Sequence, residues 1–218
     1  LWLRTADRVY IELAAFPAVT FDELFEAVRS LRWSDYIPND ASFVVNADSA
    51  HSRLFSVSDI QSVGKKAVAV SLMEGHHVSV LPETGVRYDI HLKLLRDTVS
   101  VCLNTCGQGL NRRGYRVANV AAPMRETLAA GLVLLSGWRG GALADPMCGS
   151  GTIPIEAAMI GSNIAPGLKR AFDAEEWPGF AKAWREERSA AEQQRSADTP
   201  VIFASDIDPK AVSAADRN

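Results

Sequence analysis

The stretch Asp145-Pro146-Met147-Cys148-Gly149-Ser150-Gly151-Thr152 decides the fold of the second half of the chain. It follows a short apolar strand, Ala142 to Ala144, and precedes a helical run from Ile153 to Ile160. Gly149 and Gly151 lack Cβ atoms, so the backbone can approach a ligand closely. A helix starting near Thr152 turns unpaired N–H groups and the positive end of its dipole toward that ligand. The spacing is Gly-x-Gly alone, without the third glycine of a dinucleotide fingerprint. No lysine follows the second glycine, which excludes a P-loop. Downstream, Val201-Ile202-Phe203-Ala204 predicts a buried strand that ends in Ser205-Asp206-Ile207-Asp208-Pro209 and a last helix. Strand, glycine loop, helix, strand and acidic tip form a βαβ unit, with Asp206 placed to accept hydrogen bonds from a ribose diol. The interval from Asp145 to Asp206 far exceeds the roughly 20 residues of a bare unit. An insertion from Asn163 to about Thr199 must therefore be looped out, its Ala181 to Ser196 run reading as an exposed helix.

Upstream the pattern differs. Arg8 to Leu13 alternates polar and apolar residues as a strand does. Thr20-Phe21-Asp22-Glu23 has the form of a capping box and opens an amphipathic helix through Leu24, Phe25, Val28 and Leu31. Ser42 to Asn46 is a short strand. Ser58-Asp59-Ile60-Gln61 is a second capping box, opening a helix that runs to about Met73 and ends near Gly75. Val86 to Leu94 and Val99 to Leu103 alternate around Arg96-Asp97 as a β-hairpin. Helices and antiparallel strands in this order predict a small α+β domain over residues 1–105. The Gly- and Arg-rich stretch of residues 106–122 reads as a connector. Residues 123–218 then read as the α/β part, with Pro123 at a helix start, Arg125 to Leu135 as the helix and Gly137 ending it.

The chain has 218 residues, 47% of them hydrophobic and 22% charged, with a net charge of −3, so disorder and fibrous folds are excluded. No apolar run is long enough to span a membrane and no signal peptide is visible, which predicts a cytoplasmic protein. Three cysteines and four histidines show no zinc-type spacing, so no metal is expected. Charge is unevenly spread: residues 111–141 carry five basic residues and one acidic, against a net negative balance on either side. Arg112, Arg113, Arg116, Arg125 and Arg139 supply that excess, where an RNA strand running from one module to the other would meet phosphates. Lys65 and Lys66 form a weaker second patch. RNA is read largely by shape and by unstacked bases, so no large basic face is required.

The glycine loop, followed by Ile155-Glu156-Ala157-Ala158, Asn163-x-Ala165-Pro166-Gly167 and Asp206-Ile207-Asp208, resembles the S-adenosylmethionine loop of class I methyltransferases. Arg112-Arg113-Gly114-Tyr115-Arg116 and Ala122-Pro123-Met124-Arg125-Glu126-Thr127-Leu128-Ala129 resemble the join that follows an N-terminal THUMP domain in one group of them. The pattern, from about Leu3 to Asn218, is most similar to the bacterial 23S ribosomal RNA guanine-N2 methyltransferases, whose relatives are also labelled N6-adenine-specific DNA methylases. The resemblance implies a THUMP-like α+β RNA-binding domain followed by a Rossmann-like α/β methyltransferase domain. It implies S-adenosyl-L-methionine as cofactor, 23S ribosomal RNA as partner, and methyl transfer to a guanine N2. It places the cofactor against Asp145, Pro146, Met147, Cys148, Gly149, Gly151, Thr152 and Asp206, with Asp145 near its ammonium group and Asp208 as a further ligand or a helix cap. The family's Asn/Asp-Pro-Pro-aromatic motif, which clamps the target amine, does not occur in these residues. No catalytic residue is therefore assigned, and the chain is expected to be trimmed at both ends, to hold the first half of the methyltransferase domain and to be inactive alone. A tRNA guanine-N2 methyltransferase, an N6-adenine DNA methylase and a non-catalytic RNA-binding module remain alternatives.

Other residues carry plainer expectations. Cys148 reads as a small side chain packed near the cofactor rather than a nucleophile, and Cys102 and Cys106 as free thiols. His76-His77 reads as an exposed loop, and Trp177 and Trp184 as packing residues of the insertion.

Overall fold

The computed structural model describes residues 1–118 and 122–218. Residues 119–121, inside the expected connector, lie outside the described residues. The chain forms two compact units: one is Val9–Gly107, the other combines Leu1–Arg8 with Gln108–Asn218. Among the described residues no helix is long and apolar enough to cross a membrane.

The Val9–Gly107 unit runs β1 (Tyr10–Pro17), α1 (Phe21–Ser30), β2 (Ser42–Ala50), α2 (Val57–His76), β3 (Arg87–Leu95) and β4 (Thr98–Asn104). Its sheet has the order β1-β4-β3-β2. β1–β4 and β3–β4 are antiparallel, but β2 and β3 run parallel, so the sheet is mixed rather than antiparallel throughout. The 20-residue α2 makes this possible, because a parallel neighbour needs a crossover. One sheet face is apolar: Tyr88, Ile90, Leu92 and Leu94 alternate on β3 and are at most 2% exposed. The opposite face of β3 is polar, with Asp89 accepting from Asn46 (2.6 Å) and Asn104 (3.0 Å) and His91 bonded to Asp48 (2.7 Å).

Local sequence explains the element ends. Thr20 and Glu23 form the expected capping box on α1. The second expected box does not form: α2 begins two residues earlier, with Ser56 at its N-cap, and Ser58 lies inside the helix. The hairpin between β3 and β4 turns on Arg96 and Asp97, both at positive φ (51° and 61°), the conformation a two-residue turn requires to match strand twist. No glycine relieves that turn. Instead Asp97 accepts from the Arg53 amide (2.7 Å), its own amide donates to Ser52 Oγ (3.0 Å), and its carbonyl accepts from Ala18 (2.9 Å).

The second unit contains α3 (Glu126–Leu135), β5 (Leu143–Asp145), α4 (Thr152–Gly161), α5 (Ala181–Gln193), β6 (Ile202–Ala204) and α6 (Pro209–Arg217). β5 and β6 pair in parallel, with Asp145 opposite Ala204. Residues 1–8, expected with the first module, belong here. The Leu1 carbonyl accepts from Gly167 (2.9 Å), Arg4 donates to the Ile164 carbonyl (2.8 Å), and Asp7 accepts from Thr127 (3.1 Å). In the insertion, Trp177 is buried and Trp184 stacks on Phe172, centroids 4.7 Å apart, as packing residues do. His76 is the last residue of α2 and its ring meets the Ile37 carbonyl at 2.8 Å, while His77 caps the helix in the left-handed region.

Candidate cofactor site

The parallel register of β5 and β6 sets Asp145 and the Ser205–Asp208 turn at the same end of the strands, where ligands of open α/β sheets bind. Backbone bonds join the two turns: Ser205 N donates to the Asp145 carbonyl and Cys148 N to the Ser205 carbonyl, both at 2.9 Å. Asp206 completes the link. One carboxylate oxygen accepts from the Gly149 amide and the other from the Asp208 amide, each at 2.9 Å, and these bonds hold its pKa below the usual carboxylate range. A carboxylate oxygen has two acceptor positions, so both retain capacity for a hydroxyl donor. Asp145 accepts from the Met147 amide at 3.1 Å. Asp208 accepts from Lys210 N at 2.9 Å and is the N-cap of α6.

The two glycines act differently. Gly149 has φ +54°, and a Cβ there would meet nothing within 4 Å, so its loop faces open space. Gly151 has φ +81°, and a Cβ there would lie 3.0 Å from Ala215 Cβ on α6. The expectation that both clear room for a ligand is corrected for Gly151, which clears room for a helix. Met147 is 83% exposed, Pro146 is exposed, and Thr152 is buried at the start of α4. Cys148 is buried and free. Burial, and then the carboxylates of Asp145 and Asp206, push its thiol pKa up, which disfavours the nucleophilic thiolate. Cys102 and Cys106 are likewise buried, and neither is in a disulfide. No cluster able to hold a metal exists among the described residues.

The expected basic patch separates into different roles. Arg113 is corrected: it is 3% exposed and cannot meet a phosphate. Its guanidinium donates to Glu156 Oε1 (3.1 Å) and to the carbonyls of Leu110 (2.7 Å) and Arg4. Glu156 is fully buried on α4, and Tyr115 also donates to it at 3.4 Å. Burial pushes the Glu156 carboxyl above the usual range, an effect that Arg113 and Arg4 offset only in part. Burial likewise lowers the pKa of Arg4 and raises that of Tyr115. Arg116 turns toward the glycine loop, donating to Ser150 Oγ (2.8 Å), Thr152 Oγ1 (2.9 Å) and Glu126 Oε1 (2.8 Å). Asn218 holds the same segment, accepting from Val117 and Ala118 amides and donating to the Ser150 carbonyl (3.1 Å). Arg112 is exposed. Lys65 and Lys66 are exposed on α2, within 6 Å of the Phe43 and Phe25 rings (5.7 and 5.8 Å).

Glu156 and Ser150 are the residues that sequence reading left without a role. The signal for Glu156 was present: a lone carboxylate inside an apolar helix must find a buried partner.

Comparison with known proteins identifies both domains. Residues 113–218 match the RMKL-like methyltransferase domain and residues 18–104 the THUMP domain. YpsC of Bacillus subtilis, provisionally named an RNA methyltransferase, is 45% identical over all of this chain and 58% of its own length. A ribosomal RNA large subunit methyltransferase K/L of Syntrophotalea carbinolica is 36% identical over all of this chain and 32% of its own. The crystal structure of SMU.472, provisionally described as a methyltransferase and complexed with SAH, superposes with a TM-score of 0.92 at 43% identity. It is matched by the whole chain over 59% of its own length. A Listeria monocytogenes structure, described as an N6-adenine-specific DNA methylase on sequence grounds, gives a TM-score of 0.93 at 45% identity, with the whole chain covering 58% of it. The chain thus spans less than two thirds of these relatives.

Proposed function

Because the chain joins a THUMP domain to an RMKL-like methyltransferase domain, we propose that it binds S-adenosyl-L-methionine on the Asp145–Thr152 loop and serves methylation of guanine N2 in 23S ribosomal RNA. One observation carries the cofactor assignment: Asp206 is tied to the Gly149 amide beside a loop open to solvent, with Asp145 and Asp208 nearby. Three carboxylates disfavour a phosphate and suit a ligand with cationic centres and a ribose diol. The fit is residue by residue: Asp206 holds the ribose hydroxyls, Asp145 attracts the ammonium group, and the Gly149 backbone borders the ligand. When bound, the cofactor supplies an electrophilic methyl group. Arg116 and Asn218 fix the loop from below, so that positioning is set before the ligand arrives. The THUMP unit, with Lys65 and Lys66, and exposed Arg112 are assigned to RNA. Transfer itself requires a flipped base and acceptors for its amine. The Asn/Asp-Pro-Pro-aromatic motif is not among these residues, and the chain alone is assigned binding without transfer.

Two measurements test this. Titration calorimetry with S-adenosyl-L-methionine should show binding that weakens by about tenfold or more in Asp206→Asn, as expected for the loss of a charged acceptor. Absence of heat from the whole natural protein sinks the methyltransferase reading. With radiolabelled cofactor, that protein should label 23S ribosomal RNA at guanine N2. Preferential labelling of tRNA or DNA overturns the target.

A further inference from the structure

Arg116, which holds Ser150 and Thr152 of the glycine loop, also borders a cavity. The cavity has a volume of about 740 Å³ and is bordered by Arg112, Arg116, Arg125, Arg170, Glu126 and Asp173. Arg116 is paired with Glu126 at 2.8 Å. Arg170 donates to the Gln108 and Gly109 carbonyls and lies over the Phe172 ring. Arg112 and Arg125 differ: both are exposed, and their guanidinium groups make no hydrogen bond or ion pair with any described residue. Arg125 is also the N-cap of α3, a position that lacks a side-chain acceptor for the helix's first amides. Two unpaired guanidinium groups and an uncapped helix start on one concave wall form a site for an anion. The volume exceeds what a lone phosphate needs and suits a nucleotide with its sugar.

We propose that this cavity seats a phosphodiester and its sugar from the RNA substrate strand. The proposal rests on the RNA-methylating reading. It divides the unit by charge: the carboxylate-lined turn takes the cofactor, and the arginine-lined cavity takes the RNA backbone, with Arg116 in contact with both. Arg113 also borders the cavity, but its guanidinium is taken up by Glu156 and by the Leu110 and Arg4 carbonyls, and Lys65 is not on its wall.

The test is anisotropy of a short labelled single-stranded RNA across a salt series, with wild type and Arg112→Ala/Arg125→Ala. Each phosphate contact on a single strand contributes about 0.7 to the slope of log affinity against log salt, so the double variant should lower it by about 1.4. Affinity should fall by about tenfold or more, while calorimetric S-adenosyl-L-methionine affinity stays the same. An unchanged slope overturns the proposal, as does a wild type that binds no RNA. Parallel loss of cofactor affinity also overturns it and reassigns the cavity to the cofactor's carboxylate. Displacement of the RNA by low concentrations of inorganic phosphate overturns it in favour of a free-anion site, and equal loss of binding to DNA removes the RNA assignment. The methyltransferase reading fails separately, by the cofactor titration on wild type.

Discussion

In this chain, which spans less than two thirds of its relatives, strand exposure differs between the two units. In Val9–Gly107 the strand residues Ile90, Leu92, Val99 and Val101 are 0% exposed beneath α1 and α2. In the other unit Phe203 on β6 is 63% exposed, its neighbour Val201 is 56% exposed, and Ile207 is fully exposed. The first unit is therefore held by an apolar layer of sheet against helices. The second also buries apolar residues, among them Val133, Ala157, Phe172 and Trp177, but adds buried polar links from Arg113 to Glu156 and from Arg116 to Glu126, Ser150 and Thr152. Apolar layers tolerate small losses in many places, whereas a buried ion pair concentrates its risk in one residue. The turn proposed to hold the cofactor sits in the second kind of structure, where the positions of its loops depend on specific side chains.

The sharpest way to break this contrast is Glu156→Gln. Removing the carboxylate leaves the Arg113 charge buried without its counterion, an effect of about 3–5 kcal/mol. Urea unfolding should then show the second unit melting first while the THUMP unit keeps its midpoint. Trp33 reports selectively on the THUMP unit, because the other four tryptophans lie outside it. A Glu156→Gln protein with both transitions unchanged would remove the ion pair from the account.

Next comes a pair of apolar truncations. Leu92→Ala empties a filled core site, at a cost of about 2–5 kcal/mol. Phe203→Ala removes a larger side chain that is mostly in water already, and should change stability by no more than about 0.5 kcal/mol. Thermal melts of the two variants check the order. A larger loss for Phe203→Ala would mean that β6 is a core strand after all.

Legibility in the sequence follows the same division. Period-two alternation on β3 and β4 and the Thr20 capping box were readable because each rests on neighbours in the chain. The parallel pairing of β2 and β3 was missed, although the predicted helix between them is the crossover that such a pair needs. In the second unit the glycine loop and Asp206 were readable from their chemistry, and the family resemblance placed them. The fate of Arg113 was not: Arg112 and Arg113 are adjacent and identical, yet one is exposed and the other 3% exposed. Only the partner 43 residues away, Glu156, tells them apart.

The smallest expected effect concerns the link inside the cofactor turn. Asp206 accepts from the Asp208 and Gly149 amides, and its pKa is lowered accordingly. A carboxylate with a depressed folded value contributes its full stabilisation above the unfolded value, about 3.9 for Asp. It loses that contribution as pH falls from there through the lower folded value. Asp206 should therefore add almost no pH dependence to the turn between pH 5 and 7, about one to three units above its ordinary titration. The Gly149 amide is the direct reporter, because protonation of Asp206 removes its acceptor charge. In an acid titration followed by NMR, the Gly149 amide should shift with a midpoint below the ordinary Asp value, and Asp206→Asn should abolish that shift. A midpoint at or above the ordinary value would mean that the two amide bonds do not hold the carboxylate, and that the turn is ordered by the ligand rather than before it.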